Sequence, residues 1–219
     1  MKKVILYGSA NLSKMVYYDS FDREDFEIAC FSVESQYLKG RQQFMELPLI
    51  AFEGIEYLYP PNEYDMIALF HGMPRLSERR EKYALAKNKG YQMSNYVSLK
   101  ADISPEISMG DNNVILGYTH VGIGGILGSN NIIRQNVYLG HDFKVGNNVS
   151  IVPGCTIGGG CEIKDDCFIG LAATIVDHTI IANNSLIGAG SVVLRDTEPH
   201  SRNVGNPSRI IGYQAKEEV

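Results

Sequence analysis

The sequence contains no dense run of lysine and arginine, and its formal net charge is −5 at pH 7. Without a basic patch, binding to a nucleic-acid backbone or to an anionic membrane has no electrostatic footing. Long apolar stretches are missing too, and nothing approaches the roughly 20 apolar residues a membrane span requires. The opening MKKVILYGSANLSK holds an apolar run of four or five residues, too short for the core of a signal peptide. These absences predict a cytoplasmic protein with neither a membrane span nor a nucleic-acid partner. Cysteine is sparse, four among 219 residues, yet Cys155, Cys161 and Cys167 recur every six positions. A ladder of metal ligands or disulfides would share that spacing. Packing as small residues inside a dry interior is the simpler reading.

What the sequence does have is a repeat. From Ile103 every sixth residue is aliphatic or Met, through Met109, Ile115, Val121 and onward to Val193, sixteen positions without a slip. Fixed-period self-similarity marks a solenoid. A period of six matches neither a helix nor a continued strand alternation. It does match short strands joined by tight corners, each strand turning one large side chain inward. Four residues after the later aliphatics comes a small residue: Cys155, Cys161, Cys167, Ala173, Thr179, Ser185 and Ser191. Three hexads close one triangular coil, which predicts a prism of a little over five coils, roughly 25 Å tall.

The first 96 residues read differently. Lys3–Tyr7 has the pattern of a buried strand, closed by Gly8-Ser9-Ala10-Asn11 and a helix to about Tyr18. Further strands are predicted at Phe26–Val33, Pro48–Phe52 and Asp65–Phe70, a loop at His71-Gly72-Met73-Pro74, and a solvent-facing helix from Ser77 to about Asn88. Alternating strands and helices imply a small parallel α/β domain with a ligand crevice at the carboxyl ends of its strands. Gly8 stands at the first strand-to-helix turn, where backbone amides can hold a phosphate or a sugar hydroxyl. GSANLS lacks the later glycines of a dinucleotide fingerprint, which argues against NAD. The predicted domains are thus 1–96, an α/β nucleotide-sugar-binding unit; 97–196, the solenoid; and 197–219, a capping tail ending in a short helix.

Five histidines are candidates for chemistry: His71, His120, His141, His178 and His200. His141-Asp142 stands out in mid-solenoid after Gly140, two positions beyond the inward Leu139, hence outward or at a corner. An imidazole beside a carboxylate can serve as a general base near neutral pH. Gly158-Gly159-Gly160 lies 18 residues, one coil, further on. Bare backbone there allows a close approach and exposes N–H groups to an oxyanion, though a tight corner alone would also use glycine. A metal is not expected. His141 and His178 are two coils apart, about 10 Å along the axis, too far to share a zinc ion within one chain.

The opening VILYGSAN, the segment NVYLGHDFKVGNNVSIVPGCTIGGGCEIKDDCFIGLAATI and the terminal GNPSRIIG together resemble the bacterial hexapeptide acyltransferases. These are the sialic acid O-acetyltransferase-like and nucleotide-amino-sugar N-acetyltransferases, such as UDP-N-acetylbacillosamine N-acetyltransferase. The resemblance covers nearly the whole chain. It implies a left-handed parallel β-helix, where the usual crossover rule would have given the opposite hand. It also implies a homotrimer with active sites between subunits, acetyl-CoA as co-substrate along the groove between neighbouring β-helices, and a nucleotide-linked sugar as partner. By position, His141 would be the general base and Asp142 the carboxylate that raises its basicity. The Gly159 N–H would contact the thioester carbonyl, and Leu171 and Ala189 would line the CoA channel, with Ser150 near it. Gly8, Ser9, Ala10, Asn11, Ser32, His71 and Gly72 fall on the nucleotide-sugar side. The chain departs from the family where Ser150 replaces a second histidine, at GSANLS, at Ser32-Val33-Glu34 and at Phe70-His71-Gly72.

The expected activity is acetyl transfer from acetyl-CoA to an amine or hydroxyl of a sugar, in the synthesis of surface polysaccharide or another glycan. Two other classes fit the same repeat: a non-catalytic trimeric solenoid that binds a nucleotide sugar, and a zinc lyase resembling carbonic anhydrase.

Overall fold

The computed structural model describes residues 2–70 and 76–214. They fall into two compact units, the first ending at Tyr96 and the second beginning at Val97.

The first unit is built on β1 (Lys2–Tyr7), α1 (Asn11–Asp19), β2 (Phe26–Val33), α2 (Ser35–Leu38), β3 (Gln43–Phe44), β4 (Leu47–Ala51), β5 (Asp65–Ala68) and α3 (Leu76–Asn88). The sheet order is β3-β4-β2-β1-β5. All neighbours are parallel except β3 and β4, which form an antiparallel hairpin. That hairpin is absent from the sequence reading because β3 is two residues long and carries no apolar alternation. In β1, Val4, Ile5, Leu6 and Tyr7 are all fully buried, as expected of a central strand covered on both faces.

The second unit is a left-handed parallel β-helix. Its two-residue strands stack into three parallel ladders, and the register between successive coils is 18 residues throughout. Face one turns Ile103, Val121, Leu139, Ile157, Ile175 and Val193 inward; face two Met109, Leu127, Val145, Ile163 and Ile181; face three Ile115, Ile133, Ile151, Ile169 and Ile187. Every position of the sixfold pattern therefore lands on the interior. Cys155, Cys161, Cys167, Ala173, Thr179, Ser185 and Ser191 are buried beside them at the corners.

Each corner turns on two residues, the second in the left-handed region. On the first corner these second residues are Gly124, Asp142, Gly160 and His178. The second corner has Asn112, Asn130, Asn148, Asp166 and Asn184; the third has Tyr118, Asn136, Gly154, Ala172 and Gly190. Asn, Asp and Gly reach that conformation at least cost, which explains their recurrence.

The expected helical end is corrected as far as Gln214. Ser201–Val204 adds a parallel strand beside Leu186–Ile187, and Arg209–Tyr213 returns antiparallel to it. This hairpin covers the open edge of face three, meeting the same need a helix would have met.

Candidate active site

His141 and Asp142 form the first corner where face one turns into face two, and both are exposed. The His141 Nδ1 lies 2.8 Å from Asp142 Oδ2. With the Nδ1 proton on that carboxylate, Nε2 is left as an acceptor. Side-chain exposures of 61% and 72% make the pair worth little to stability, so its consequence is the tautomer and orientation of the ring. One side of the ring rests on the next coil. A methyl group built on Gly159 would overlap Nε2, Cε1 and Cδ2 of His141. The glycine is therefore what allows the imidazole to lie against the backbone.

One expectation is corrected here. The Gly159 N–H is not open to a thioester: it donates to Asp177 Oδ1 at 2.8 Å, one coil further on. The reason lies in the register. A corner amide points along the axis toward the residue 18 positions on, and a carboxylate there captures it. The Gly160 N–H is likewise taken, by the His141 carbonyl at 2.8 Å.

The remaining candidates on the β-helix lie elsewhere. Leu171, 55% exposed, and the exposed Ala189 are on the third corner, at the opposite edge of face one from His141. A face is roughly 15 Å wide, so the structure does not bring these residues to His141 within a chain. Ser150 is on face three and only 3% exposed, so it presents no surface to a ligand, contrary to expectation. Cys155, Cys161, Cys167 and Cys30 are all buried and free. Burial pushes the thiols of Cys30 and Cys167 up to about 12 and that of Cys155 up to about 11, so none is a nucleophile near neutral pH.

Sequence reasoning passed over a second imidazole–carboxylate pair. His120 Nδ1 is 2.7 Å from Asp102 Oδ2, and the ring stacks on Tyr138 with centroids 5.0 Å apart. The three residues succeed one another at intervals of 18 on the outer side of face one, a spacing visible in the sequence. Among the described residues, no group of three or more His, Cys, Asp or Glu is placed to hold a metal. Nor, among them, is any helix long and apolar enough to cross a membrane.

In the first unit, Gly8, Ser9 and Ala10 line a cavity of about 480 Å³ at the carboxyl ends of the strands, with Val33, Lys39 and Arg41 across from them. Gly8 has φ +131, and a Cβ there would come within 2.7 Å of the Leu69 carbonyl oxygen. Ala10 precedes α1 without offering a side-chain cap, so the first-turn amides can face an anion. Asn11 is exposed at the start of that helix; Ser32 is fully buried, its hydroxyl unpaired. His71 and Gly72 lie outside the described residues.

Glu34 follows β2 directly, where a ribose-binding acid would stand, but its carboxylate accepts from Tyr7 at 2.7 Å and pairs with Lys82. Burial pushes this carboxyl up, yet the hydrogen bonds from Lys82 and Tyr7 outweigh it and hold the group below its ordinary value. Lys39 and Arg41 were missed because they follow the short helix α2 as ordinary loop cations; only the fold brings them to the crevice.

No family model matches the sequence. The chain is 30% identical over 165 residues to the serine acetyltransferase of Bacillus subtilis, an alignment that covers 70% of each protein. Seven further curated relatives align over less than half of their own length, between 22% and 47%. Among solved structures, the acetyltransferase domain of PglB from Neisseria gonorrhoeae superposes with a TM-score of 0.86 at 19% identity, covering 96% of this chain and all of that one (100%). Perosamine N-acetyltransferase from Caulobacter crescentus, in complex with CoA and GDP-perosamine, gives a TM-score of 0.86 at 18% identity, covering 97% of this chain and 98% of that one. At such identities the likeness is one of fold.

Proposed function

Since this chain belongs to the hexapeptide-repeat acyltransferases, we propose that it transfers an acetyl group from acetyl-CoA to an amine or hydroxyl of a nucleotide-linked sugar. The observation that carries this reading is the His141 imidazole, with Nδ1 on Asp142 and its ring laid against the bare backbone of Gly159. The acceptor's lone pair attacks the thioester carbon while His141 Nε2 takes the acceptor's proton. Collapse of the tetrahedral intermediate breaks the C–S bond, and the departing sulfur recovers that proton from the imidazolium. No acyl-enzyme is required, in keeping with four buried thiols.

A sugar nucleotide as acceptor is supported by the crevice at Gly8–Ala10. The uncapped start of α1 and the side chains of Lys39 and Arg41 suit a phosphate chain there. A homotrimer is supported by the placement of His141 on the first corner and of Leu171 and Ala189 on the third. Setting the first corner of one copy against the third corner of the next would close a groove containing all three residues.

The test is thiol release from acetyl-CoA with a panel of UDP-, dTDP-, GDP- and CMP-linked amino sugars and with L-serine. Replacing His141 by Asn is expected to lower turnover by about 10²–10⁴-fold with an unchanged circular dichroism spectrum. Turnover of that variant close to wild type would remove His141 from its role. Turnover with L-serine alone would move the acceptor to the class named for the Bacillus relative, and nucleotide-sugar binding without thiol release would favour a sensor.

A further inference from the structure

All three amides of the glycine run are engaged, Gly158 with the Ile175 carbonyl, Gly159 with Asp177 and Gly160 with the His141 carbonyl. On the second corner, the N–H groups of Ser129, Asn147 and Asp165 each donate to the side chain 18 positions on, that of Asn147, Asp165 and Asn183 respectively. On the first corner Gly159 donates to Asp177 in the same way. His141 cannot do so, because the residue one coil on is Gly159, which has no side chain. The His141 N–H has no hydrogen-bond partner among the described residues. With Gly159 and Gly160 both engaged, the glycine run offers no donor to an acyl oxygen.

A second ring closes on the same glycines. His178 follows Asp177, two coils beyond Asp142, with φ 58 and an exposed side chain. Its own N–H donates to the Gly159 carbonyl at 2.8 Å, which holds its backbone to that coil. A methyl group built on Gly160 would overlap Nδ1 and Cε1 of His178, as one on Gly159 would overlap the ring of His141. The two imidazoles thus lean from opposite directions onto adjacent residues, whose Cα atoms are about 3.8 Å apart. The His178 ring has no hydrogen-bond partner among the described residues, and a neutral imidazole always carries one N–H donor.

We propose that the ring N–H of His178 holds the carbonyl oxygen of the acyl thioester, in place of the engaged amides of the glycine run. His178 is then a second catalytic histidine, and the inference rests on the acyl-transfer reading. As the acceptor's lone pair forms its bond to the acyl carbon, the C=O π electrons move onto oxygen, where the His178 ring N–H meets the developing charge. The acceptor's proton goes to His141 Nε2. When the oxyanion collapses, the C–S electrons leave with sulfur, which takes the proton back from His141 and departs as free CoA thiol. His141 handles the proton and His178 the charge.

The experiment compares acetyl-CoA with S-ethyl-CoA, a thioether of similar size that lacks the carbonyl, by calorimetry and by turnover. Glycine already occupies the equivalent corner positions 124 and 160, so H178G removes the donor without backbone strain. H178N keeps a donor in a residue that also accepts this conformation. Wild type is expected to bind acetyl-CoA about three- to tenfold more tightly than S-ethyl-CoA. In H178G that ratio falls to about one and kcat drops on the order of 10²-fold, with H178N between the two. A ratio unchanged in H178G, or no preference in wild type, overturns the proposal while leaving acyl transfer standing. If neither compound binds wild type, the acyl-transfer reading falls and takes this inference with it.

Discussion

Gly159 shows how much a missing side chain can determine. Its φ is not in the left-handed region, so alanine would fit the backbone, but the added methyl would collide with the His141 ring. Gly159→Ala is expected to lower turnover at least tenfold while moving the melting temperature by no more than a few degrees, a contrast read by assay and calorimetry together. Legibility at this scale was uneven. His141-Asp142 could be found because two positions past an inward aliphatic is a corner, where an ionisable pair has no packing role. Ser150 could not be judged the same way: position within a hexad tells inward from outward, but not whether the outer side is covered. In the sequence His178 is a candidate only for zinc and Asp177 goes unremarked; the stacking of the coils brings both to the glycine pair.

Among the elements, the second corner of the β-helix is held by a polar ladder. The Asn112 amide donates to Asn130 at 2.7 Å, Asn130 to Asn148 at 3.0 Å, and Asn148 to Asp166 at 2.5 Å. Asn130 is buried, has φ 60 and bonds both neighbours. Asn130→Ala is expected to destabilise the β-helix by about 2–4 kcal/mol, from two lost hydrogen bonds and a left-handed non-glycine residue, as measured by denaturant unfolding. The first unit carries a different device. Glu34 is held below its ordinary value by Lys82 and Tyr7 in spite of burial, so its contribution is present above the unfolded carboxyl value of about 4.3 and is lost as pH falls through the folded one. Unfolding midpoints between about pH 5 and pH 3 are expected to fall less steeply in Glu34→Gln than in wild type. Strands β1, β2, β4 and β5 were readable from apolar runs, whereas the β3–β4 and terminal hairpins were not. Short strands at a sheet edge are made by pairing, and pairing leaves little periodic trace.

For the molecule as a whole, the four thiols follow from the architecture. Three lie at interior corner positions of the prism and one in the sheet of the first unit, each no more than 1% exposed. Iodoacetamide at pH 8 is expected to leave native protein unlabelled and to modify four cysteines once it is unfolded; labelling without loss of structure would contradict the dry interior. The sequence by itself determined the β-helix, because a sixfold alternation of large and small side chains is consistent with no other packing. It determined the parallel α/β unit as well, through apolar runs broken by turns, and it singled out His141-Asp142. Handedness came only with the resemblance to relatives, since a hydrophobic period is the same in either hand. Tertiary structure alone decided which donors remain open. An 18-residue register sets Asp177 against Gly159, leaves the His141 amide bare and leans His178 over Gly160, because hydrogen bonds between coils join residues that no local pattern connects.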